Sequence, residues 1–136
     1  DKGMKKKILI PIGVILVVAV VAVVYYLTPK TFGMKISSSD VDHIDVFDGN
    51  TGKEFTISNP EDVQYIVENI KSHSMRRDGI SLGRTGYGFR ITYFDSNDKE
   101  VISAFILNGG GCIRKDPFFY RCDGGLCYDY LKRLEK

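Results

Sequence analysis

The sequence has few of the residues that most often carry catalysis. Its 136 residues include two histidines and three cysteines. It has no H-E-x-x-H motif, the signature of many zinc proteases, and no C-x-x-C motif, which thioredoxin-like oxidoreductases need. His43 is expected on the solvated face of the first strand, and His73 is expected to cap the C-terminal end of a helix. We therefore expect no catalytic residues, no cofactor and no enzyme activity.

Outside its N-terminal part, the chain also lacks an excess of basic over acidic residues. The formal net charge is +2, but residues 1–30 carry five lysines and one aspartate, which gives +4 there and −2 for the remainder. A nucleic-acid-binding domain concentrates basic residues in its folded part. The sequence therefore predicts no nucleic-acid partner.

One long hydrophobic run stands at the N-terminal end. Residues 8–27 (ILIPIGVILVVAVVAVVYYL) hold no charged residue, and this length suffices for a helix to cross a bilayer core. Three lysines precede the run (Lys5, Lys6 and Lys7), and Lys30 alone follows closely, which predicts a cytoplasmic N-terminus and an exported C-terminal domain. We interpret the run as an uncleaved, single-pass signal anchor in the cell membrane.

Three alternatives to an uncleaved anchor are less well supported. A cleaved signal peptide needs small residues after a shorter apolar core, whereas Ala19 and Ala22 lie inside the run. A lipoprotein needs a cysteine directly after the run, but the first cysteine is Cys112. A pilin-type assembly helix would carry an acidic residue near its start, and the run has none.

The anchor divides the chain into four parts. Residues 1–7 are interpreted as a short cloning remnant, ending before Met4, and a basic cytoplasmic flank. The anchor at 8–27 is followed by residues 28–39 (TPKTFGMKISSS), whose proline, glycine and serines predict a stalk. Residues 40–136 form the expected extracytoplasmic domain, a size that normally supports one modest core.

The domain is predicted to be α+β. The proposed strands lie at 41–47, 54–57, 87–93, 101–107, 112–115 and 118–122. One helix begins near residue 60, and a second spans 126–134. Asn59 and Pro60 are typical of a helix start, and an apolar stripe follows at helical spacing. The resulting order is ββαββββα, with a mainly antiparallel sheet and the helices packed on one face.

The cysteines predict one disulfide. Cys112 and Cys122 are symmetric about Pro117, so a tight hairpin would place them opposite each other, and oxidation is the usual fate of such a pair outside the membrane. A bridge between Cys122 and Cys127 is the alternative. Cys127 otherwise lies on the apolar face of the last helix as a buried thiol. Because the spacing differs from that of a zinc knuckle, no metal is expected.

Two glycine-containing segments suggest ligand loops but have simpler explanations. Residues 45–52 lack the ligand order and terminal glutamate of an EF-hand, and a hairpin turn accounts for every residue. Residues 83–88 look like a phosphate-binding loop but run into a strand rather than into a helix N-terminus. Neither calcium nor nucleotide binding is therefore expected.

The polar loop at 75–86 and a later hairpin tip supply the candidate binding residues. Arginine pairs bidentately with carboxylates and stacks on aromatic rings, and three adjacent aromatics at 118–120 cannot all face inwards in a strand. A solvated loop is the simpler alternative. The candidates are Arg76, Arg77, Arg84, Arg90, Tyr87, Phe118 and Phe119. They predict a non-catalytic binding or accessory domain that recognises an anionic or peptide partner, such as an envelope protein. The alternative is an envelope sensor that responds to a small ligand or to redox state.

Residues 44–134 resemble small membrane-anchored extracytoplasmic domains of unknown function from Gram-positive bacteria. The resemblance implies the same anchored topology and supplies no catalytic residues. It rests on the helix start at 57–62, the strands at 87–95 and 101–107, and the tail at 128–134.

Overall fold

A computed structural model describes residues 2–84, 86 and 88–135, with side chains described from residue 5 onward. Three α-helices, one 3-10 turn and seven strands make up this part of the chain. They are α1 (Lys2–Leu27), the 3-10 turn Ser38–Asp40, β1 (His43–Asp48), β2 (Glu54–Ile57), α2 (Pro60–Lys71), β3 (Arg76–Ile80), β4 (Phe89–Phe94), β5 (Glu100–Leu107), β6 (Cys112–Lys115), β7 (Phe118–Arg121) and α3 (Tyr128–Leu134).

The seven strands form one sheet in the order β2-β1-β4-β5-β6-β7-β3. Every neighbouring pair is antiparallel. The predicted α+β class and antiparallel sheet are therefore confirmed. The edges of the sheet are β2, a four-residue strand, and β3, which no predicted element covered.

The strand β3 corrects the predicted loop at 75–86 and changes the order to ββαβββββα. Arg76 and Arg77 pair with Arg121 and Tyr120 of β7, and the register shifts before Ile80. The strand carries no alternating apolar residues, because it lies at an edge and much of its surface faces solvent. Without this alternation its sequence (RRDGI) is indistinguishable from that of a polar loop.

One face of the sheet and the helices α2 and α3 share a single core. The strands β1, β4 and β5 alternate between buried and more exposed positions, as half-buried strands do. The predicted stripe of α2 is buried against them. The core members are Ile44, Val46, Phe89, Ile91, Tyr93, Phe105 and Leu107 of these strands, with Val63, Ile66, Val67 and Ile70 of α2 and Leu131 of α3.

The ends of α2 have the predicted capping interactions. The side chain of Asn59 accepts a hydrogen bond from the backbone N–H of Glu61 at 2.9 Å, and Pro60 occupies the first turn. At the other end, Nδ1 of His73 donates to the carbonyl oxygen of Asn69 at 2.7 Å. Both contacts pair backbone groups that a helix end leaves free.

The helix α1 is long and apolar enough to cross a membrane. The stretch Lys5–Leu27 has a mean hydropathy of 3.1, and none of it is buried in the rest of the protein. It contains the predicted span at 8–27. The helix is therefore a candidate membrane span by length and composition.

The segment 28–39, predicted to be a stalk, packs into the domain. Phe32 is 1% exposed, and its ring centroid lies 5.3 Å from that of Phe105 and 5.1 Å from that of Tyr120. Lys30 and Met75 exchange two backbone hydrogen bonds of 2.8 Å. The composition of the segment is typical of a linker, but one buried aromatic ring makes it part of the core.

The predicted Cys112–Cys122 disulfide is not formed, and all three cysteines are free thiols. The hairpin turn uses two residues, so that Lys115 pairs with Phe118 and Cys112 pairs with Arg121. The predicted pairing of Cys112 with Cys122, which assumed symmetry about Pro117, is therefore wrong by one residue. A slip of one residue moves a side chain to the opposite face of a sheet, so Cys112 and Cys122 project to opposite faces. Cys127 is buried, as expected for a core thiol.

Candidate functional site: a cationic cleft on the outer sheet face

The sheet face opposite the core carries an ordered row of cationic and apolar side chains. Phe47 pairs with Arg90, Arg90 with Ile106, Ile106 with Arg114, and Arg114 with Phe119. Directly paired residues of antiparallel strands project to the same face. These five residues, one from each of β1, β4, β5, β6 and β7, form what we call the outer-face row. Glu54 of β2 pairs with Phe47 and adds an acidic residue at the end of the row.

Each arginine of the row is placed over an aromatic ring. The guanidinium carbon of Arg90 lies 5.1 Å from the ring centroid of Phe47. That of Arg114 lies 5.9 Å from the ring centroid of Phe119. Such cation–π contacts orient a guanidinium and restrict its motion. The two arginines are therefore partly preorganised for a ligand.

A cavity of about 360 Å³ opens beside the row. This volume is at the small end of the range of ligand pockets. Three of the residues that line it are cationic and one is acidic, so the lining favours an anion. The lining includes Arg90, Ala104, Ile106, Arg114, Lys115 and Asp116. We call this cavity the outer-face cleft.

Arg114 is held in place by internal partners. Its Nε donates to Oδ1 of Asp116 at 3.1 Å, and its Nη2 donates to the carbonyl oxygen of Ser81 at 3.1 Å. Oδ1 of Asp116 also accepts from the hydroxyl of Ser81 at 2.6 Å. The Ser81 hydroxyl and the Arg114 guanidinium hold the pKa of Asp116 below its usual value. The ionised carboxylate therefore offsets the charge of Arg114.

Lys115 and Arg90 differ in how far they are already engaged. Nζ of Lys115 donates to the Ser103 hydroxyl at 2.7 Å and to the Ala104 carbonyl at 2.9 Å. Burial, together with repulsion from Lys30, lowers the pKa of Lys115. Arg90 is exposed, and within the described part of the chain no carboxylate lies within 4.0 Å of it. Among the described residues, Arg90 is therefore the cation of the cleft with the fewest fixed partners, and it also lines a neighbouring cavity with Asp45 and Glu54.

The structure brings two predicted site residues, Arg90 and Phe119, into the outer-face row. Arg76 instead pairs at 3.7 Å with Asp123 and keeps 62% of its side chain exposed. Arg84 is exposed in the turn after β3. Tyr87 lies outside the described residues. The predicted arginine cluster therefore does not converge on one site.

Arg77 and Phe118 belong to the junction between α1 and the sheet. Nη1 of Arg77 donates to the carbonyl oxygens of Tyr25 at 2.8 Å and Thr28 at 2.7 Å. Its guanidinium also lies 4.2 Å from the Tyr25 ring centroid and 5.2 Å from that of Phe118. Both residues are engaged within the chain, and their assignment to a partner-binding surface stays a prediction.

The sequence analysis missed Arg114 and Lys115 of the cleft, together with Phe47 and Ile106 of the row. The signal that could have found Arg114 is the alternation of the strands, because Arg90 and Arg114 both occupy outward positions. Recognising this pattern requires the correct register of three strands, which short segments specify weakly.

Gly79–Gly83 also has the G-x-S-x-G spacing of a hydrolase nucleophile elbow. In hydrolases that motif joins a strand to a helix, whereas here it joins β3 to a turn. Ser81 is fully buried and its hydroxyl donates to Asp116. His43 and His73 hydrogen-bond to Asp42 and to the backbone of α2, respectively. The Ser81 hydroxyl therefore positions the carboxylate of Asp116.

The acidic turn after β1 is a closed hairpin turn, as predicted. The backbone N–H of Asn50 donates to Oδ1 of Asp48 at 2.8 Å. Burial acts to raise the pKa of Asp48, but hydrogen bonds from the backbone of Asn50 and from Thr51 help to bring it below its usual value. In the described part of the chain, no three His, Cys, Asp or Glu side chains are grouped to hold a metal ion.

No protein-family model matches this sequence, and neither a curated protein nor a solved structure is significantly similar to it. The resemblance to anchored domains of Gram-positive bacteria therefore stays a prediction.

Proposed function

We propose that this protein is a membrane-anchored, non-enzymatic binding domain that recognises an acidic peptide or envelope protein through the outer-face cleft. The helix α1 holds it in the cell membrane as a single-pass anchor, with the N-terminus in the cytoplasm and the domain outside. The observation that carries the proposal is the position of Arg90, an exposed cation on the cleft with no carboxylate within 4.0 Å among the described residues.

Charge supports an anionic ligand at this place. The chain after residue 30 has a net charge of −2, so a cleft lined by three cations and one acid stands out from its surroundings. A local cationic site in an acidic domain attracts a carboxylate without binding polyanions over the whole surface. This contrast favours a specific acidic segment over nucleic acid.

The shape of the cleft supports a peptide side chain as the occupant. A guanidinium pairs with a carboxylate through two parallel hydrogen bonds. Ile106 of the row offers an apolar contact for the methylene groups of a glutamate. A cavity of about 360 Å³ accommodates one or two side chains, so the rest of a partner would lie over the flat sheet face.

Binding by the full-length protein in nanodiscs of zwitterionic lipid tests the proposal. The probe is a fluorescein-labelled tetraglutamate peptide, followed by anisotropy. We expect Arg90→Gln to weaken binding about tenfold, which corresponds to about 1.4 kcal/mol for a lost charge-assisted pair. Added salt should weaken binding by the unaltered protein.

Arg133→Gln is the matched control, because it removes the same charge from an exposed position on α3, outside the cleft. It should leave peptide affinity nearly unchanged. Equal affinity of the unaltered protein and Arg90→Gln would contradict the proposal, as would an equal loss in both variants.

Protease protection tests the anchor and its direction. In intact cells, added trypsin should digest the domain, and in inverted membrane vesicles it should leave the domain protected. The opposite pattern would reverse the proposed orientation. Release of the domain by a high-salt wash would contradict anchoring by α1.

A sensor remains the second candidate because β7 connects the cleft with the anchor. The ring of Phe119 lies beside Arg114, which lines the cleft, whereas Phe118, its neighbour in the chain, contacts Tyr25 and Tyr26 of α1. A ligand that moves β7 would act on both. Peptide-dependent fluorescence of a Tyr26→Trp variant would favour the sensor, and an unchanged signal at saturating peptide would favour simple binding.

A further inference from the structure

The strand β3 runs beside the segment that leaves α1, in the opposite direction. Met75 exchanges backbone hydrogen bonds with Lys30, and Arg77 donates to the carbonyl oxygen of Thr28. Two residues later, the N–H of Gly79 donates to the hydroxyl of Tyr26 at 2.9 Å. The strand β3 therefore runs back along residues 30 to 26, toward α1.

The residues that follow Gly79 expose apolar side chains. Ile80 is 54% exposed and Leu82 is 61% exposed, while Ser81 between them is buried. Outside α1, large hydrophobic side chains are exposed at only four of the described positions, and two of the four lie here. The pair is therefore a concentrated apolar tip rather than scattered surface residues.

The tip lies level with the aromatic end of α1. Ile80 pairs with Phe118 across the ladder. The Phe118 ring centroid is 6.4 Å from that of Tyr25 and 5.6 Å from that of Tyr26. Tyrosines at the end of a membrane helix sit at the boundary between headgroups and acyl chains. Continuation of the chain past Ile80 brings Leu82 to that boundary.

We propose that residues 80–84, which we call the β3 tip, insert into the same bilayer that α1 spans. Ile80 and Leu82 enter the boundary of the acyl chains, and Arg84 pairs with lipid phosphates. An arginine two residues beyond an inserted leucine can extend its guanidinium to the headgroups. The inference rests on the proposed anchoring by α1 and goes beyond it, because it assigns a second membrane contact to the domain itself.

Insertion of the β3 tip would fix the orientation of the cleft. The hydroxyl of Ser81 donates to Asp116, which lines the cleft. The acidic end of the cleft therefore lies beside the β3 tip and close to the bilayer. A ligand of the cleft would therefore bind near the membrane surface.

The absence of tryptophan from the sequence allows a clean test. Leu82→Trp places the only tryptophan at the β3 tip of the full-length protein, reconstituted in vesicles whose acyl chains are brominated near the headgroups. We expect blue-shifted emission and a marked loss of intensity relative to unbrominated vesicles. Ile80→Trp gives an independent second position in the same segment.

Two control variants separate insertion from anchoring. Tyr65→Trp reports from the exposed face of α2, where Tyr65 is 47% exposed, and should not be quenched. Val17→Trp reports from the middle of α1 and should be quenched by lipids brominated deep in the acyl chains.

Quenching of Val17→Trp together with an unquenched Leu82→Trp and Ile80→Trp would overturn the insertion and leave the anchor intact. An unquenched Val17→Trp would overturn both. Anionic lipid should increase the quenching of Leu82→Trp further. If this increase is lost in the double variant Leu82→Trp/Arg84→Gln, the phosphate contact is supported. No change in either protein would remove Arg84 from the proposal.

Discussion

The guanidinium of Arg77 both donates a hydrogen bond to the carbonyl oxygen of Tyr25 at 2.8 Å and lies 4.2 Å from the centroid of its ring. The carbonyl groups at the C-terminal end of a helix carry the negative end of its dipole. One cation from the sheet edge therefore pairs with the end of α1 and with its aromatic side chain. The contact joins α1 to the domain.

Replacement of Arg77 should destabilise this junction. Arg77→Gln removes the charge and two hydrogen bonds, for an expected loss of about 2–4 kcal/mol in the free energy of unfolding. Arg77→Lys should recover only part of it, because an ammonium cannot reproduce the planar fork. Urea unfolding of the full-length protein in detergent measures the loss. Arg76→Gln, at a largely exposed neighbour, should change stability by less than about 0.5 kcal/mol, and an equal loss would contradict the junction.

Burial of Phe32 predicts that residues 28–39 contribute to folding. Phe32→Ala should lower the free energy of unfolding by about 3–5 kcal/mol, as for other buried phenylalanines. Met34, two residues away, is 71% exposed, so Met34→Ala should cost less than about 0.5 kcal/mol. Thermal unfolding of both variants distinguishes a packed segment from a stalk. Similar melting temperatures for the two variants would favour the stalk.

The sequence predicted best those elements whose residue pattern follows from local interactions or from burial of one face. The helix α2 has a cap, an N-terminal proline and an apolar stripe, and β4 alternates because one of its faces is buried. The helix α1 follows from twenty uncharged residues. Each signal is local, so no knowledge of the partner strands is needed.

The features that could not be predicted depend on pairing between distant segments. The polar strand β3 lies at an edge of the sheet, and the role of Arg77 depends on a helix end 52 residues earlier in the chain. The disulfide prediction was wrong because the register of the β6–β7 hairpin depends on a two-residue turn. Arg114 joins the cleft only through the alignment of β5 with β6.

The free cysteines predict a pattern of alkylation. Native protein treated with iodoacetamide near neutral pH should be modified at Cys112 and Cys122, which are partly exposed. Cys127 should react only after unfolding, because it is 3% exposed and burial raises its pKa to about 12. Mass spectrometry of unreduced peptides measures the pattern. A Cys112–Cys122 bridge in the purified protein would contradict the register of the hairpin.

Burial of Cys127 also predicts a pH dependence of stability. The unfolded thiol ionises near its ordinary pKa of 9.0, whereas the folded thiol stays neutral up to about 12. The free energy of unfolding should therefore be insensitive to this group below pH 9.0 and should fall as the pH rises from 9.0 towards 12. Denaturation profiles of Cys127→Ala should lack that contribution. An identical alkaline slope in both proteins would assign it to other groups.

The opposing charges of Arg114 and Asp116 give the sharpest test of the cleft. Asp116→Asn removes the one acid from a lining with three cations, so the cleft should bind the tetraglutamate peptide about two- to fivefold more tightly, as expected for an exposed charge worth up to about 1 kcal/mol. Ser81→Ala removes the hydrogen bond to Asp116 without changing any charge, so it should lower stability and leave affinity nearly unchanged. Anisotropy titrations at low and high salt measure both, and the gain for Asp116→Asn should shrink as salt screens it. If the gain came only from removing repulsion between Asp116 and the peptide, it would need the loss of that charge and low ionic strength. A gain in affinity that persists at high salt would therefore indicate rearrangement of the β6–β7 turn. A gain of equal size in Ser81→Ala would indicate the same.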